Sequence, residues 1–179
     1  MTTYPPAPGF RSSQRKHRIV IIDSPNMSNL GARNKRVYGA IASLEDLQNL
    51  CKGFDASVDV DVTTFSSNFE GAILEFIHES ARSTDAYIIN PAGLTVGGLA
   101  TMAALTETGR PYIEVHFANI EAPPTAPRGV PIGPQHSAFS ANATGVMGMR
   151  HYSYCAAILS LAMALDDKNF LGADAAATE

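Results

Sequence analysis

The stretch Arg18-Ile19-Val20-Ile21-Ile22-Asp23 contains four consecutive β-branched residues and ends on an acid. Such a run is typical of a strand that is buried on both faces of a parallel sheet. Valines that alternate with polar residues over 58–62 predict a second, less buried strand. Residues 86–90 and 112–117 predict a third and a fourth strand, and residues 145–147 predict a short last one.

Helical patterns lie between these strands. Ser43 is expected to cap a helix, with Asp46 at the third helical position to complete a capping box. Apolar residues at helical spacing predict further helices over 70–82, 98–108 and 152–165. Strands that alternate with helices indicate an α/β protein with a right-handed, doubly wound parallel sheet.

Length and composition favour one globular domain. The 179 residues are 45% hydrophobic and 17% charged, and the net charge of -4 argues against a general nucleic-acid binder. No apolar run approaches the roughly 18 residues that span a bilayer, so no membrane association is expected. The N-terminus lacks the apolar segment of a secretion signal, so we expect a cytoplasmic protein. Cys51 and Cys155 lie in helix-like apolar patterns and are expected to be small buried hydrophobes.

The two ends of the chain are expected to lie outside the folded domain. Residues 1–17 are rich in proline and polar residues, so we expect a flexible N-terminal tail. Residues 18–171 would then form the single domain, and residues 172–179 a frayed C-terminal tail. The stretch 119–141 has no periodicity and many prolines and glycines, which indicates a functional or interface loop.

Ligands of such sheets bind outside the carboxyl ends of the strands, which directs attention to the loops there. Glu114 and His116 are two residues apart on one predicted strand, so their side chains share a face. A carboxylate beside an imidazole orients the ring and stabilises its protonated form, as a general acid requires. The alternative is a histidine that is merely satisfied at a sheet edge.

The first loop carries Asn26, Arg33 and Tyr38. A phenol is a poor base at neutral pH, but an adjacent cation stabilises the phenolate. Asn26 could hold an oxyanion or a water. From these residues alone, a basic solvated loop with an anchoring tyrosine and a turn-forming asparagine is the more common explanation.

The turn that begins at Asn90 leads from a strand into a helix, with Gly97-Gly98 near the helix start. Free backbone N–H groups there could hold a carboxylate or a phosphate. Neither a Walker motif nor a GxGxxG motif is present, so a nucleotide cofactor is not expected.

Five segments taken together resemble one family, the type II 3-dehydroquinate dehydratases. Their order and spacing hold over residues 18–165, nearly the whole predicted domain. Residues 23–39 resemble the family pattern GPN-x-x-x-LG-x-R…YG, and residues 67–79 resemble SN-x-EG…IH. Residues 90–95 resemble N-P/A-x-G-x-T, residues 114–119 resemble EVHISN, and residues 143–146 resemble ATGVI.

The resemblance implies a flavodoxin-like, three-layer αβα domain that assembles through trimers into a dodecamer, without metal or cofactor. It implies anti elimination of water from a cyclic hydroxy-ketone carboxylate through an enolate. Tyr38 would be the base, supported by Arg33, and His116 the acid, oriented by Glu114. Asn26 would hold a water against the enolate. The substrate carboxylate would be bound by Asn90 and by the backbone N–H groups of Phe117 and Ala118.

Several family binding positions differ in this chain. Val96 stands where the family has histidine, and Ala103 replaces an aspartate that the family donates across a subunit contact. Ala118 replaces serine, Pro123 replaces arginine, and Arg128 is a possible counterpart of a second binding arginine. These family residues grip hydroxyls at the far side of the substrate ring. A site without such partners discriminates less for hydroxylated ligands and tolerates apolar ones.

Three hypotheses therefore follow. The first is a dehydratase of 3-dehydroquinate. The second is a divergent relative that uses the same proton-transfer residues on a less hydroxylated ring, with an apolar far wall near Val96, Ala103 and the Pro-rich loop. The third is a non-catalytic small-ligand binder, against which the retained base and acid argue.

Overall fold

A computed structural model describes residues 9–127, 129–130 and 133–168. The strands are β1 (His17–Asp23), β2 (Val60–Ser66), β3 (Ala86–Asn90), β4 (Tyr112–His116) and β5 (Thr144–Met147). The α-helices are α1 (Lys35–Tyr38), α2 (Leu44–Val58), α3 (Glu70–Ser80), α4 (Leu99–Glu107) and α5 (Tyr152–Asp166). Short 3-10 helices cover Met27–Ala32, Ala81–Ser83 and Ala92–Leu94.

The five strands form one parallel sheet in the order β2-β1-β3-β4-β5. The chain moves outward from β1 to β2 and then returns to the other side of β1, so the winding direction reverses between β1 and β3. Asp23 pairs with Asn90 in this register, at the carboxyl ends of both strands. The predicted doubly wound sheet is confirmed, and its switch point is where a ligand site is expected.

Helices cover both faces of the sheet. Ile19 and Ile21 pack in one core with residues of α2 and α5, whereas Val20 and Ile22 pack in a second core with residues of α3 and α4. This alternation is why the β1 run is apolar at every central position. The expected three-layer α/β architecture is confirmed.

The α2 helix begins and ends at residues whose conformations set its limits. Ser43 Oγ accepts a hydrogen bond of 3.0 Å from the Asp46 N–H, so the predicted N-cap is confirmed, whereas the Asp46 carboxylate accepts from Ser43 Oγ at 2.8 Å. At the other end the prediction is wrong for Val58, which closes α2 instead of opening β2. Asp59 takes a left-handed conformation with φ of 53° and ends the helix, so β2 starts at Val60. Val58 is buried in the core under α2, which explains its apolar character.

The N-terminal segment contacts the domain before residue 18. Arg11 Nε donates to Asp166 Oδ2 at 2.6 Å, and His17 Nε2 lies 2.7 Å from Asp166 Oδ1. Burial opposes ionisation, but these hydrogen bonds hold the pKa of Asp166 well below its usual range. The expected boundary at residue 17 therefore lies within a strand, because the end of α5 binds polar residues that composition alone assigns to a tail. Residues 1–8 and the expected C-terminal tail lie outside the described residues.

The two cysteines are buried and free, as expected. Among the described residues, no helix has both the length and the apolar character needed to cross a bilayer.

Candidate active site

A cavity of about 410 Å³ opens at the carboxyl ends of β1, β3 and β4. Two backbone contacts hold its loops together: Ser24 N donates to the Asn90 carbonyl and Gly93 N to the Pro25 carbonyl, both at 3.0 Å. The lining residues are Asn26, Met27, Arg33, Asn34 and Tyr38 after β1; Asn90, Ala92, Gly93 and Thr95 after β3; and His116, Phe117, Ala118, Ile120, Val130 and Gln135 from β4 onward.

Glu114 and His116 form a buried pair, as their spacing on β4 predicts. His116 Nε2 lies 2.7 Å from Glu114 Oε1, and Ser137 Oγ donates to the same carboxylate oxygen at 2.5 Å. His116 lines the cavity while Glu114 lies behind it. The pair therefore presents an oriented imidazole to a ligand, with Nδ1 as the ring nitrogen that Glu114 does not hold. Sequence reasoning missed Ser137, which lies in the loop without periodicity.

Arg33 and Tyr38 form the second pair. Arg33 Nη2 donates to the Tyr38 hydroxyl, and the guanidinium carbon lies 3.7 Å from the centroid of the Tyr38 ring. Burial lowers the pKa of Arg33, and the neighbouring Tyr38 partly offsets this. A cation at this position stabilises a phenolate. Both side chains are half-buried and line the cavity, and their functional role stays a prediction.

Tyr38 is held against the β4 side of the cavity. It ends α1, which is capped by Asn34 through a 2.9 Å hydrogen bond from the Arg36 N–H. Arg150 donates to the Arg36 carbonyl at 3.0 Å and so ties α1 to the segment before α5. The rings of Tyr38 and Phe117 lie 6.3 Å apart, which places the phenol near the residue that follows His116.

Two asparagines, Asn26 and Asn90, also lie in the cavity wall. Asn26 has a left-handed φ of 78°, and its N–H donates to Asn68 Oδ1 at 2.9 Å. Asn90 Nδ2 donates to the Tyr154 hydroxyl at 2.7 Å, and its Oδ1 accepts from Ala92 N at 3.2 Å. Both asparagines line the cavity, as expected.

A family model described as dehydroquinase class II matches residues 17–162. The chain belongs to this family. It is therefore a hydro-lyase, an enzyme that eliminates water, on the family's flavodoxin-like fold. The resemblance found in the motifs is confirmed.

Relatives cover most of the chain. A catabolic 3-dehydroquinase of Emericella nidulans is 36% identical over 146 residues, which are 81% of this chain and 90% of that protein. A 3-dehydroquinate dehydratase of Thermoanaerobacter pseudethanolicus is 44% identical over 103 residues, which are 58% of this chain and 69% of that protein. A type II dehydroquinase structure from Butyrivibrio crossotus superimposes with a TM-score of 0.71 at 30% identity, over 82% of this chain and 97% of that one.

Not every residue taken from the class II dehydroquinase pattern lies in the cavity wall. Phe117 and Ala118 line it, but Val96 does not. The 3-10 turn Ala92–Leu94 places Thr95 in the wall and leaves Val96 63% exposed. Arg128 lies outside the described residues.

The long loop after β4 supplies part of the cavity wall. Ile120 and Val130 pack with Ala118 and Val37 in a small apolar cluster that also touches Tyr38. Gln135 N donates to the Ile120 carbonyl at 2.8 Å, which folds the loop back on itself. We call Ile120, Val130 and Gln135 the loop wall, and the pairs Arg33–Tyr38 and Glu114–His116 the paired wall. Apolar side chains of this loop therefore line the cavity, whereas Val96 does not, and an apolar wall around the remote part of the substrate stays a prediction.

Gly129 explains how the loop turns this tightly. A Cβ at Gly129 would lie 2.0 Å from the Pro123 carbonyl oxygen, so any larger residue would force the backbone there to shift. Pro123 itself is not among the lining residues, and neither is Ala103. Among the described residues, no group of three or more His, Cys, Asp or Glu side chains could hold a metal ion.

Proposed function

We propose that this dehydratase acts on 3-dehydroquinate, or on a close cyclic hydroxy-ketone carboxylate, by anti elimination of water through an enolate. The observation that carries the proposal is that the Arg33–Tyr38 and Glu114–His116 pairs reach one cavity from different loops. An elimination needs a base and an acid on the same substrate, and these pairs supply both.

In the first step, the Tyr38 phenolate takes the proton alpha to the ketone, and the C–H electron pair forms the enolate. Arg33 stabilises the phenolate before the transfer. Asn26 supports a water that donates to the enolate oxygen, where negative charge develops. In the second step the enolate collapses to the enone, the C–O bond breaks, and His116 protonates the departing hydroxyl to give water. Glu114 stabilises the imidazolium that precedes this transfer.

The substrate carboxylate is assigned to Asn90 and to the backbone N–H groups of Phe117 and Ala118. All three residues line the cavity that also holds the Arg33–Tyr38 pair and His116, which supports this assignment. Fixing the ring at its carboxylate holds the alpha proton in one orientation relative to Tyr38.

The test is spectrophotometric, because the conjugated enone absorbs in the near ultraviolet. Wild-type protein should raise this absorbance with 3-dehydroquinate, and Tyr38→Phe should not. Substrate deuterated stereospecifically at the alpha carbon then distinguishes anti from syn elimination. No absorbance rise with wild-type protein in excess over substrate would exclude 3-dehydroquinate.

A second candidate is favoured by the loop wall. Ile120 and Val130 offer no hydrogen bond to a hydroxyl, so a ring with fewer hydroxyls at its remote carbons is the alternative substrate. The discriminating measurement is kcat/KM for 3-dehydroquinate against an analogue without those hydroxyls. A preference for the analogue supports this candidate, and a preference for 3-dehydroquinate supports the first.

For assembly, the proposal is a cytoplasmic homododecamer built from trimers. The low charged fraction of the chain and the exposed apolar side chains of Phe69, Val96 and Leu99 support subunit contacts. Light scattering that gives the mass of a single chain would contradict it.

A further inference from the structure

Asn90 is the end of a buried chain of hydrogen bonds that begins at Asp23. The Tyr154 hydroxyl donates to Asp23 Oδ1 at 2.6 Å and accepts from Asn90 Nδ2 at 2.7 Å. Asp23, Tyr154 and Asn90 are 1%, 0% and 3% exposed, so water does not compete for these bonds. Asp23 and Asn90 are register partners on β1 and β3, and Tyr154 reaches them from α5.

The donors and acceptors in this series of hydrogen bonds follow one direction, because the Tyr154 hydroxyl has a single hydrogen. An ionised carboxylate only accepts, so a tyrosine that donates to Asp23 must accept from its other neighbour. Asn90 can meet that demand only with its nitrogen. Its oxygen then faces the Ala92 N–H at 3.2 Å, which holds the amide at its other end.

The amide nitrogen has a second hydrogen. Its nearest described acceptor besides Tyr154 is Met27 Sδ at 3.3 Å, and thioether sulfur is a weak acceptor. Met27 and Asn90 both line the cavity. A ligand carboxylate there is the better acceptor and would replace the sulfur contact.

We propose that Asp23 and Tyr154 are positioning residues that fix the Asn90 amide with its nitrogen toward the cavity, ready to bind a ring carboxylate. The inference rests on the proposed function in that it takes Asn90 as a carboxylate-binding residue. If the direction of these hydrogen bonds were reversed, Asn90 would turn its oxygen toward an anionic ligand and repel it.

The electrostatics of the chain agree with this direction. Burial raises the pKa of Asp23 to about 7, and the Tyr154 hydrogen bond partly opposes that rise. Burial and the adjacent Asp23 raise the pKa of Tyr154 well above its usual range, so its hydroxyl keeps its proton. At pH 8 the pair is therefore a carboxylate that only accepts and a phenol that donates.

The experiment compares four single variants with wild type at pH 8, and a double-variant cycle with Asn90→Ala completes it. Tyr154→Phe and Asp23→Leu break the chain, whereas Asp23→Asn keeps an oxygen that accepts from Tyr154. Tyr87→Phe is the matched control, because Tyr87 is also fully buried, lies on β3, and loses only a 2.9 Å contact to Ser80. Cyclohexanecarboxylate affinity is measured by calorimetry, and KM and kcat are measured with 3-dehydroquinate.

We expect Tyr154→Phe and Asp23→Leu to weaken carboxylate binding and raise KM by about tenfold, the size of one hydrogen bond to a charged group, with kcat within about threefold. Asp23→Asn should bind within about threefold of wild type, and Tyr87→Phe should match wild type. Adding Tyr154→Phe to Asn90→Ala should raise KM no further, because the two residues act through one contact.

Several results would overturn the inference: equal affinity of wild type and Tyr154→Phe, an equal loss in Tyr87→Phe, a fall in kcat alone, or no binding of the probe by wild type. Wild-type protein that binds the probe but does not dehydrate 3-dehydroquinate would instead contradict the proposed substrate. The binding comparison among the variants would then still decide the role of Asp23 and Tyr154.

Discussion

The paired wall and the loop wall of the cavity are built by different means. In the paired wall, Glu114 and His116 are adjacent on one face of a central strand, so the register of the sheet sets their positions. The loop wall depends on contacts within a segment that has no regular structure, such as the bond from Gln135 N to the Ile120 carbonyl. On the proposed function, the acid is therefore held by a strand of the sheet, whereas the remote part of the substrate meets a loop that tolerates change.

Tyr38→Phe tests the paired wall most severely. General base catalysis contributes about 10²–10⁴-fold, so kcat should fall by that order while cyclohexanecarboxylate affinity stays within about threefold. Steady-state kinetics and calorimetry give both values. Tyr152→Phe, which removes an exposed phenol outside the cavity wall, is the control. A Tyr38→Phe enzyme that keeps most of its kcat would show that another group is the base.

The buried Asp23 carboxyl should lower the stability of the protein at high pH. The pKa of Asp23 is raised to about 7, above its ordinary 3.8, so the folded protein holds a proton that the unfolded chain releases. The free energy of unfolding should therefore fall as pH rises from about 4 to about 7, by up to about 4 kcal/mol at 1.36 kcal/mol per pKa unit. Urea denaturation at pH 5 and pH 8 captures about 3 kcal/mol of this fall, and Asp23→Asn should flatten it.

Asp166→Asn is the control for that measurement. The pKa of Asp166 lies well below its usual range, so its stabilising contribution is complete above about pH 5 and is lost only in acid. Asp166→Asn should therefore destabilise the protein at both pH 5 and pH 8. Parallel declines in wild type and Asp23→Asn would contradict the raised pKa of Asp23.

The sequence predicts the elements that carry a local pattern. The run Ile19–Ile22 indicates a doubly covered strand because every side chain in it meets a helix layer, and Ser43 marks the start of α2 because capping is local. Val58 misleads because one buried residue at the end of a helix continues the alternation of the next strand. Arg11 is missed because its partner, Asp166, is 155 residues away.

Glu114→Gln should have the next largest effect on turnover. The glutamine oxygen can still accept from His116, but the charge that stabilises the imidazolium is lost. Hydrogen bonds to charged groups contribute about 1.5–3 kcal/mol, so kcat should fall by about 10- to 100-fold. Glu70→Gln is the control, since Glu70 is a carboxylate that accepts from Thr101 outside the cavity. An unchanged kcat in Glu114→Gln would show that the charge of Glu114 does not contribute to turnover.

For the candidate site, too, the sequence predicts what depends on local spacing and motifs. Spacing on one strand predicts the Glu114–His116 contact, and the motifs identify Arg33 and Tyr38. Ser137 and Gln135 could not be placed, since their positions depend on how an aperiodic loop folds. The acid at the end of the β1 run was a usable signal for Asp23, but its contact with Tyr154 spans 131 residues.

The loop wall should respond least, and in selectivity more than in rate. Val130→Thr replaces a methyl group of that wall by a hydroxyl of nearly the same size. If the substrate ring extends toward Val130, the new hydroxyl can bond a remote ring hydroxyl. A neutral hydrogen bond contributes about 0.5–1.5 kcal/mol, so the ratio of kcat/KM for 3-dehydroquinate over an analogue without those hydroxyls should rise by about two- to tenfold.

Val130→Ala separates this effect from the loss of a methyl contact, because it removes apolar surface without adding a donor. The ratio of its kcat/KM values for the two substrates should stay near that of wild type. Its KM should rise for both substrates together. A Val130→Thr protein that is folded and has an unchanged ratio would mean that Val130 does not face the ring. Discrimination would then have to come from Gln135 or Ile120, which hold the other two positions of the loop wall and are joined to each other through the backbone.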